Sequence, residues 1–219
     1  MFIAAQTCGG AMEQKISKPA RERLIRLARL LEQLEKSGKQ TVSSAEIQSR
    51  TGWTSFTIRR DISMLGVRCA NAAGYNVVLL KDTIGSVLSL GAAEKRCCIV
   101  GLGRLGEALA GFTGFFNSSF VIAAGFDSSV NRTETLRAPF PLYSTSKLEQ
   151  VIADENIEYA ILAVPESVAE QMALRLSACG IKGIVNYTAA ILHLPETTAV
   201  ENLSVIDALQ NLSCKSLAK

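Results

Sequence analysis

The sequence Arg96-Cys97-Cys98-Ile99-Val100-Gly101-Leu102-Gly103-Arg104-Leu105-Gly106-Glu107-Ala108-Leu109-Ala110 decides the fold of this chain. A short apolar strand leads into three glycines with the spacing G-x-G-x-x-G, and a helix follows. In that context Gly101 permits a tight turn, and Gly103 lets the backbone approach a pyrophosphate. Gly106 lets the helix pack closely on the strand. The stretch therefore predicts a phosphate-binding turn between a parallel strand and a helix.

A second apolar strand, residues 120–126, ends in Asp127, 21 residues after Gly106. At that distance dinucleotide-binding folds place the acid that accepts from ribose hydroxyls. Such a carboxylate repels a 2′-phosphate, so Asp127 favours NAD over NADP. Two alternatives stay open at this point. Asp127 could simply begin a turn at Ser128, and Arg132 could either neutralise a phosphate or bind a 2′-phosphate.

Strands and helices continue to alternate after Asp127. Strands are predicted at 141–143, 159–164, 183–187 and 200–203, and helices at 148–152, 167–179 and 205–212. This alternation predicts an α/β fold, a Rossmann-like doubly wound parallel sheet. Ligands bind beyond the carboxyl ends of such strands. We therefore expect Ala163-Val164-Pro165 and Asn186-Tyr187-Thr188 to face a dinucleotide.

The candidates for binding NAD(H) lie in the glycine turn, near the ribose position or at these strand ends. They are Gly101, Leu102, Gly103, Arg104, Leu105, Gly106, Asp127, Arg132, Ala163, Val164, Pro165, Asn186 and Tyr187. A hydride-transfer enzyme also needs an acid or base near the nicotinamide. The single histidine, His193, lies between Leu192 and Leu194 and reads as a half-buried structural residue. We expect no catalytic residues and no enzyme; a small NAD-dependent oxidoreductase is the alternative.

Charge is distributed unevenly between the two halves of the chain. Residues 1–85 hold thirteen Lys and Arg against seven Asp and Glu, whereas residues 86–219 hold ten against thirteen. A basic module beside a slightly acidic one indicates that only the first module meets a polyanion.

Three helices are predicted in the basic module, at 20–36, 43–51 and 54–65. Leucines recur every three or four residues in the first, so one stripe is buried. Ser43 and Glu46 predict a capping box on the second helix, and Thr54 or Ser55 can cap the third. Two short helices joined by a turn containing Gly52 are typical of a helix-turn-helix, whose second helix lies in the major groove of DNA. The alternative is a plain three-helix bundle.

The DNA-binding candidates share exposed polar, basic or aromatic character near the second and third helices. They are Ser43, Ser44, Ser55, Phe56, Thr57, Arg59, Arg60, Ser63 and Arg68. Arginine reaches guanine edges or phosphates, and hydroxyl groups near a helix N-terminus bind phosphates. Two short apolar runs around a small-residue loop at 67–80 predict a β-hairpin, the wing of a winged helix-turn-helix, with Arg68 towards the DNA.

The predicted organisation has five parts. Residues 1–14 form a flexible arm, 15–85 a winged-helix domain, 86–94 a linker, 95–203 the dinucleotide domain, and 204–219 a C-terminal helix and tail. The six cysteines are scattered without a C-x-x-C pair, which predicts no metal site and a reducing, cytoplasmic compartment. No stretch of about 18 apolar residues occurs, so no membrane span is expected.

The chain resembles the Rex family of bacterial redox-sensing transcriptional repressors over residues 15–213. The resemblance rests on motifs in family order and spacing: Lys18-Pro19-Ala20, Val42–Ile47, Ile58–Ser63, Gly74–Val77, Gly101–Leu109, Phe126-Asp127 and Ala178–Asn186. It implies a homodimer whose winged helices read a palindromic operator with NAD+ or no ligand bound and leave the DNA when NADH rises. It also implies that residues 204–213 form a helix exchanged between subunits.

Three positions depart from the family pattern. The wing carries fewer basic residues, Arg104 stands where Asn is common, and Cys214-Lys215 follow Leu212-Ser213 where aromatic residues are usual. These differences keep a further hypothesis open. In it, the chain is a winged-helix regulator whose second domain binds another nucleotide, such as NADPH through Arg104 or Arg132.

Overall fold

The computed structural model describes residues 16–67, 74–88, 93–112, 114–115 and 118–216. The chain divides into two compact units, residues 1–92 and 93–219. Within the described residues, no helix has the length and apolar character needed to cross a bilayer. No group of three or more possible metal-binding side chains occurs in that same part of the chain.

The first unit is helical with a two-stranded sheet. Its elements are α1 (Lys18–Lys36), β1 (Thr41–Val42), α2 (Ser44–Thr51), α3 (Ser55–Ser63), β2 (Tyr75–Asn76) and α4 (Val77–Val87). The predicted leucine stripe is confirmed, because Leu24, Leu27, Leu31 and Leu34 are all buried. They pack with Ile47, Ile58 and Ile62 into a single core, to which α4 adds Val77, Leu80 and Ile84. This core holds α3 in place with one side towards solvent.

The helix ends follow the predicted capping, with one exception. The Ser43 hydroxyl accepts from the Glu46 N–H at 3.1 Å, and the Thr54 hydroxyl accepts from the Thr57 N–H at 3.2 Å. Gly52 ends α2 in the left-handed conformation, with φ 74°. The Glu46 carboxylate accepts from Lys39 and Arg50, so the second half of the predicted capping box does not form.

The predicted hairpin at 67–80 is wrong in its second arm. β2 pairs antiparallel with β1, with Val42 opposite Tyr75, and Val77–Leu80 begin helix α4. The Asn76 side chain caps this helix by accepting from the Leu79 N–H at 2.9 Å. Val77, Leu80 and Ile84 then lie on one buried face with helical spacing. Arg68 and the loop around it lie outside the described residues.

The second unit contains a six-stranded parallel sheet. Its strands are β3 (Lys95–Val100), β4 (Phe120–Asp127), β5 (Leu142–Ser144), β6 (Tyr159–Leu162), β7 (Gly183–Asn186) and β8 (Ala199–Asn202). Their order is β5-β4-β3-β6-β7-β8, so the predicted doubly wound sheet is confirmed. The chain moves outward from β3 in both directions, and ligands bind at this switch point in such sheets.

In the described part of the second unit, the α-helices are α5 (Arg104–Ala110), α6 (Val130–Thr135), α7 (Leu148–Asp154), α8 (Glu166–Ala178) and α9 (Val205–Ser216). Side chains of β3 alternate between two apolar clusters, with Cys98 and Val100 in one and Ile99 in the other. This alternation shows that both faces of the strand are covered. α9 is different, because Val205, Ile206, Leu209 and Leu212 are 56–75 % exposed in the single chain.

Candidate functional site

The glycine turn joins β3 to α5. Gly101 has φ +94°, and a Cβ there would meet the backbone of Ala163. A Cβ on Gly106 would clash with the carbonyl oxygen of Gly101, whereas one on Gly103 would meet nothing within 4 Å. Two of the glycines are therefore required by packing, and the third leaves open space at the start of α5.

Asp127 ties the end of β4 to this turn. Its side chain is 4 % exposed; one carboxylate oxygen accepts from the Leu102 N–H at 2.7 Å and the other from the Ser129 N–H at 2.8 Å. Arg132 lies 3.4 Å from the first oxygen. A carboxylate has about four acceptor positions, so Asp127 still has capacity for a ligand hydroxyl.

A cavity of about 490 Å³ opens beside Asp127 at the carboxyl ends of the strands. The predicted residues that line it are Gly101, Gly103, Asp127, Arg132, Ala163, Val164 and Pro165. The structure adds residues that sequence reasoning missed, namely Ser128, Thr145, Val168, Gln171, Met172 and Arg175. Most of these belong to α8, and the pattern that predicted the helix did not show which side faces the strand ends.

Arg175 is fixed at the wall of this cavity by two partners. It donates to the Glu149 carboxylate at 2.6 Å and to the Thr145 carbonyl oxygen at 3.1 Å. The hydrogen bond from Arg175 is the main cause that lowers the pKa of Glu149. Arg175 is thus held in place before any ligand arrives.

A second, more open depression of about 610 Å³ lies on the other side of the glycine turn. It is lined by Leu102, Gly103, Arg104, Glu107, Gly111, Arg132, Thr135, Leu136 and Arg137. Gly103 and Arg132 line both spaces. The predicted residue Arg104 therefore lies near the turn but outside the first cavity.

Four other predicted cofactor residues line neither space. Gly106 is packed under the turn and Leu105 is exposed on α5. Tyr187 packs against the apolar cluster around Ile99. The role of Asn186 in cofactor binding stays a prediction, and its buried amide donates to the Ala190 carbonyl and Asn202 and accepts twice from Thr188. These bonds use the polar groups of Asn186 to hold the strand end together.

α3 presents a free face in the first unit. Phe56 is 70 % exposed, and Arg59, Arg60 and Ser63 are also exposed. The Ser55 hydroxyl instead donates to Gln48 at 2.7 Å, and the Thr57 hydroxyl lies 2.9 Å from that of Thr54. These two candidates thus also serve the turn between α2 and α3. Ser43 caps α2, and the neighbouring Ser44 is half-buried.

An ion pair joins α1 to α3. Arg23 Nε lies 2.6 Å from Asp61 Oδ2, and Arg23 Nη2 lies 3.0 Å from Asp61 Oδ1. The hydrogen bond to Asp61 raises the pKa of Arg23, and the Asp61 side chain is 4 % exposed. Sequence reasoning missed this pair, although the position of Asp61 between the buried residues Ile58 and Ile62 is a signal that could have found it.

The described thiols of the sheet are poor nucleophiles. Burial raises the pKa of Cys97 to about 12 and raises that of Cys98 further. Burial is also the main cause that raises the pKa of Cys179. Since the thiolate is the reactive form, these three thiols are poor nucleophiles. Cys97 and Cys98 are buried core residues of β3, whereas Cys179 follows α8 and is half-buried.

Among the described residues, neither the histidine nor a Tyr-x-x-x-Lys pair lines either space. The expectation of a half-buried His193 is wrong, because its side chain is 80 % exposed and its Nδ1 lies 3.1 Å from Glu170 Oε1 at the surface. Tyr143 and Lys147 have the spacing Tyr-x-x-x-Lys, which sequence reasoning passed over. Tyr143 belongs to β5 and stacks on Phe126, whereas Lys147 ends a separate turn. The two side chains are therefore not on one helix face, and neither lines the cavities described above.

Comparison with known proteins gives matches along most of the chain. Residues 15–63 match the family model described as "Putative DNA-binding protein N-terminus", and residues 92–190 match the model described as "CoA binding domain". The redox-sensing transcriptional repressor Rex of Exiguobacterium sp. (strain ATCC BAA-1283 / AT1b) is 35 % identical over 200 residues, which cover 91 % of each chain.

Solved structures show the same similarity. A crystal structure of RSP in complex with β-NAD+ and operator DNA has a TM-score of 0.84 and 31 % identity, covering 91 % of this chain and 92 % of that chain. A structure of RSP in complex with β-NADH has a TM-score of 0.81 and 30 % identity, covering 92 % and 94 %.

Proposed function

The chain belongs to the Rex family of redox-sensing transcriptional repressors, and we propose that it senses the NADH/NAD+ ratio and transmits it to operator DNA. The repressor binds its operator with NAD+ or with no ligand and is released by NADH. The first unit contacts DNA and the second holds the dinucleotide. The proposed ranges are 15–85 for the DNA-binding domain, 86–94 for the linker, 95–203 for the dinucleotide domain and 204–219 for the C-terminal helix and tail.

The observation that carries the nucleotide assignment is the hydrogen bond between Asp127 and the glycine turn. It places a carboxylate beside the open space at Gly103, within one cavity. A ribose that donates to Asp127 therefore brings its 5′-pyrophosphate towards Gly103 and the first N–H groups of α5. Ala163, Val164 and Pro165 supply the opposite wall. The name of the matched family model makes coenzyme A a competitor to be tested against NAD(H).

The DNA assignment rests on the free face of α3. Arg59 and Arg60 are proposed to contact guanine edges or phosphates, with Phe56 and Ser63 beside them. Ser43, Ser44, Ser55 and Thr57 lie at the first turns of α2 and α3 and are proposed to bind phosphates, as hydroxyl groups at helix N-termini do. Arg68 remains a prediction outside the described residues.

A homodimer on a palindromic operator completes the proposal. Helix-turn-helix dimers read two half-sites separated by whole helical turns, so a rotation of subunits is enough to abolish binding. The exposed apolar side chains of α9 support exchange of residues 204–213 with a second subunit. The similarity to proteins named as redox-sensing transcriptional repressors supports a sensor over the alternative oxidoreductase. The proposed location is the cytoplasm. The thiols of Cys97, Cys98 and Cys179 are free in the structure, as is usual in a reducing compartment.

The test is a titration of an operator complex with each dinucleotide. A palindromic operator is selected from a random DNA pool with the full-length protein and NAD+, and binding is followed by fluorescence anisotropy. NADH is expected to release the DNA at concentrations where NAD+ does not. The proposal fails if saturating NADH leaves operator affinity unchanged. Steady oxidation of NADH with an added aldehyde or keto acid would favour the oxidoreductase instead.

A pair of variants tests the site itself. Asp127→Asn removes the charge that accepts from the ribose, and NADH is expected to bind at least about tenfold more weakly, since hydrogen bonds to charged groups contribute about 1.5–3 kcal/mol. Glu158→Gln is the control, because Glu158 pairs with Lys182 on the surface of the same unit. Equal NADH affinity in both variants would contradict the role of Asp127.

A further inference from the structure

Three arginines surround the open depression beside the glycine turn. We propose that this depression binds a phosphate group carried on the adenosine ribose, so that the chain accepts nucleotides with a 2′- or 3′-phosphate in addition to NADH. The inference rests on the proposed nucleotide site and extends it. It concerns the phosphomonoester that NADPH carries on the 2′ oxygen and coenzyme A on the 3′ oxygen.

The arginines come from three places in the chain. Arg104 begins α5, Arg132 lies on α6, and Arg137 follows α6. In the described part of the chain, neither Arg104 nor Arg137 has a hydrogen-bond or ion-pair partner. Glu107 is the acidic residue among those lining the depression. The depression thus carries more positive than negative side chains, and the guanidinium groups of Arg104 and Arg137 can donate hydrogen bonds to an anion.

The depression adjoins the place where the ribose is expected. Gly103 and Arg132 line both the depression and the main cavity, and Asp127 lines the cavity beside them. A ribose held by Asp127 therefore lies at the border of the two spaces. A phosphate on its 2′ or 3′ oxygen points out of the cavity and towards the arginines.

Asp127 is the obstacle to such a phosphate, because like charges repel. The backbone N–H groups of Leu102 and Ser129 already donate hydrogen bonds to the Asp127 carboxylate and partly offset its charge. Arg132 approaches it only at 3.4 Å, and the Arg132 side chain is 56 % exposed. Arg132 can therefore turn from Asp127 to the phosphate while the backbone bonds of Asp127 remain. Arginine suits this role because its planar guanidinium binds phosphate oxygens in pairs.

The test compares ligands that differ only by the phosphate. Binding of NADH, NADPH, coenzyme A and 3′-dephospho-coenzyme A to the full-length protein is measured by isothermal titration calorimetry. The pairs are NADPH with NADH and coenzyme A with 3′-dephospho-coenzyme A. In at least one pair, the phosphorylated ligand is expected to bind more tightly than its partner, or at most about threefold more weakly, because the arginines offset the repulsion from Asp127. The pair that meets this expectation identifies the source of the phosphate.

A double variant separates the arginines from the rest of the site. Arg104→Ala/Arg137→Ala is expected to weaken the phosphorylated ligand about tenfold or more relative to its unphosphorylated partner, since it removes charge-assisted bonds to the phosphate. Lys182→Gln removes a positive charge elsewhere on the same unit and is the control. It is expected to change neither affinity.

The outcomes distinguish this inference from the proposed function. If NADH binds but both phosphorylated ligands bind more than about threefold more weakly than their partners, only the inference is overturned. It is also overturned if the double variant weakens both members of a pair equally. If a phosphorylated ligand binds and NADH does not, the inference stands and the proposed NADH sensor fails. If no ligand binds, both fail.

Discussion

Arg23 on α1 and Asp61 on α3 meet in a two-point ion pair, with distances of 2.6 and 3.0 Å. Asp61 directly follows Arg60 and lies two positions after Arg59. The pair therefore fixes the helix that carries the proposed DNA-reading arginines. It also engages the Arg23 guanidinium with a buried carboxylate.

Removing Arg23 should destabilise the first unit. In Arg23→Ala the buried Asp61 carboxylate loses both of its close contacts with Arg23 and, among the described residues, keeps only Arg60 Nε at 4.0 Å. The free energy of unfolding should therefore fall by about 3 kcal/mol. Arg23→Met/Asp61→Leu should recover most of this loss, because no buried charge is left. Urea unfolding followed by the fluorescence of Trp53 measures the effect, since Trp53 is the only tryptophan and packs on this unit's core. A single variant as stable as the parent would contradict the structural role of the pair.

Two glycines of the same turn should respond differently to alanine. Gly103 has φ −68° and open space around it, so Gly103→Ala should keep the stability of the second unit while its methyl group obstructs the pyrophosphate. NADH affinity should fall about tenfold, a loss of about 1.4 kcal/mol. Gly106→Ala should lower stability by about 1–3 kcal/mol through the clash with Gly101. Thermal unfolding and NADH titration check both. Loss of stability in the first variant, or tight NADH binding by it, would contradict this assignment.

Arg60, whose side chain is 60 % exposed, should contribute to operator binding through its guanidinium. Arg60→Ala should cost about 1–3 kcal/mol and relax sequence specificity if the contact is to a base. If the contact is to a phosphate, the salt dependence of log K should fall by about 0.9 instead. Lys36→Ala is the control, because Lys36 pairs with Glu32 on the surface near the end of α1. If Arg60→Ala and Lys36→Ala have the same operator affinity and the same salt dependence, Arg60 is not part of the DNA interface.

The thiols of Cys97 and Cys98 should make the second unit less stable at high pH. Burial raises the pKa of Cys97 to about 12 and raises that of Cys98 as well, whereas an unfolded thiol ionises near about 8.5. Unfolding therefore releases protons above that pH, and the free energy of unfolding falls by about 1.4 kcal/mol per pH unit for each thiol. Below about pH 8 the thiols contribute no pH dependence, because both states are protonated.

Urea unfolding between pH 8 and 10, followed by circular dichroism, measures this slope. Cys97→Ala/Cys98→Ala should flatten it relative to the parent, while Cys214→Ala, which removes an exposed cysteine, should not. The same slope in all three proteins would show that other groups cause the pH dependence.

The glycine turn and the sheet were predictable because their signals are local. Glycine spacing, apolar strands and the position of Asp127 are all visible within short windows of sequence. The strand at Val77–Leu80 was predicted wrongly, since a run of four apolar residues suits a strand or a helix equally. Packing against α1 and the Asn76 cap decide in favour of the helix. α6 was not predicted at all, because it buries no residue and so has no apolar period.

The side chains of the site were less predictable than its backbone. Arg137 lines the depression and Gln171 lines the main cavity because of how α6 and α8 are oriented in the fold. No sequence motif indicates that orientation. Arg23 and Asp61 pair across 38 positions of sequence. Asn186 ends β7, one residue before the predicted end of this strand, and its amide donates to Asn202 of the adjacent strand. Each of these outcomes depends on partners brought together only by the fold.

Because α9 exposes an apolar face, the concentration of the protein affects how many of its copies are associated. Val205, Ile206, Leu209 and Leu212 lose water contact only when another surface covers them. Association between copies follows mass action, so both apparent stability and the fraction of paired chains rise with concentration. A cell that makes more of this chain thereby changes operator occupancy at a fixed nucleotide ratio. Gene dosage and dilution at cell division then act as inputs alongside metabolism.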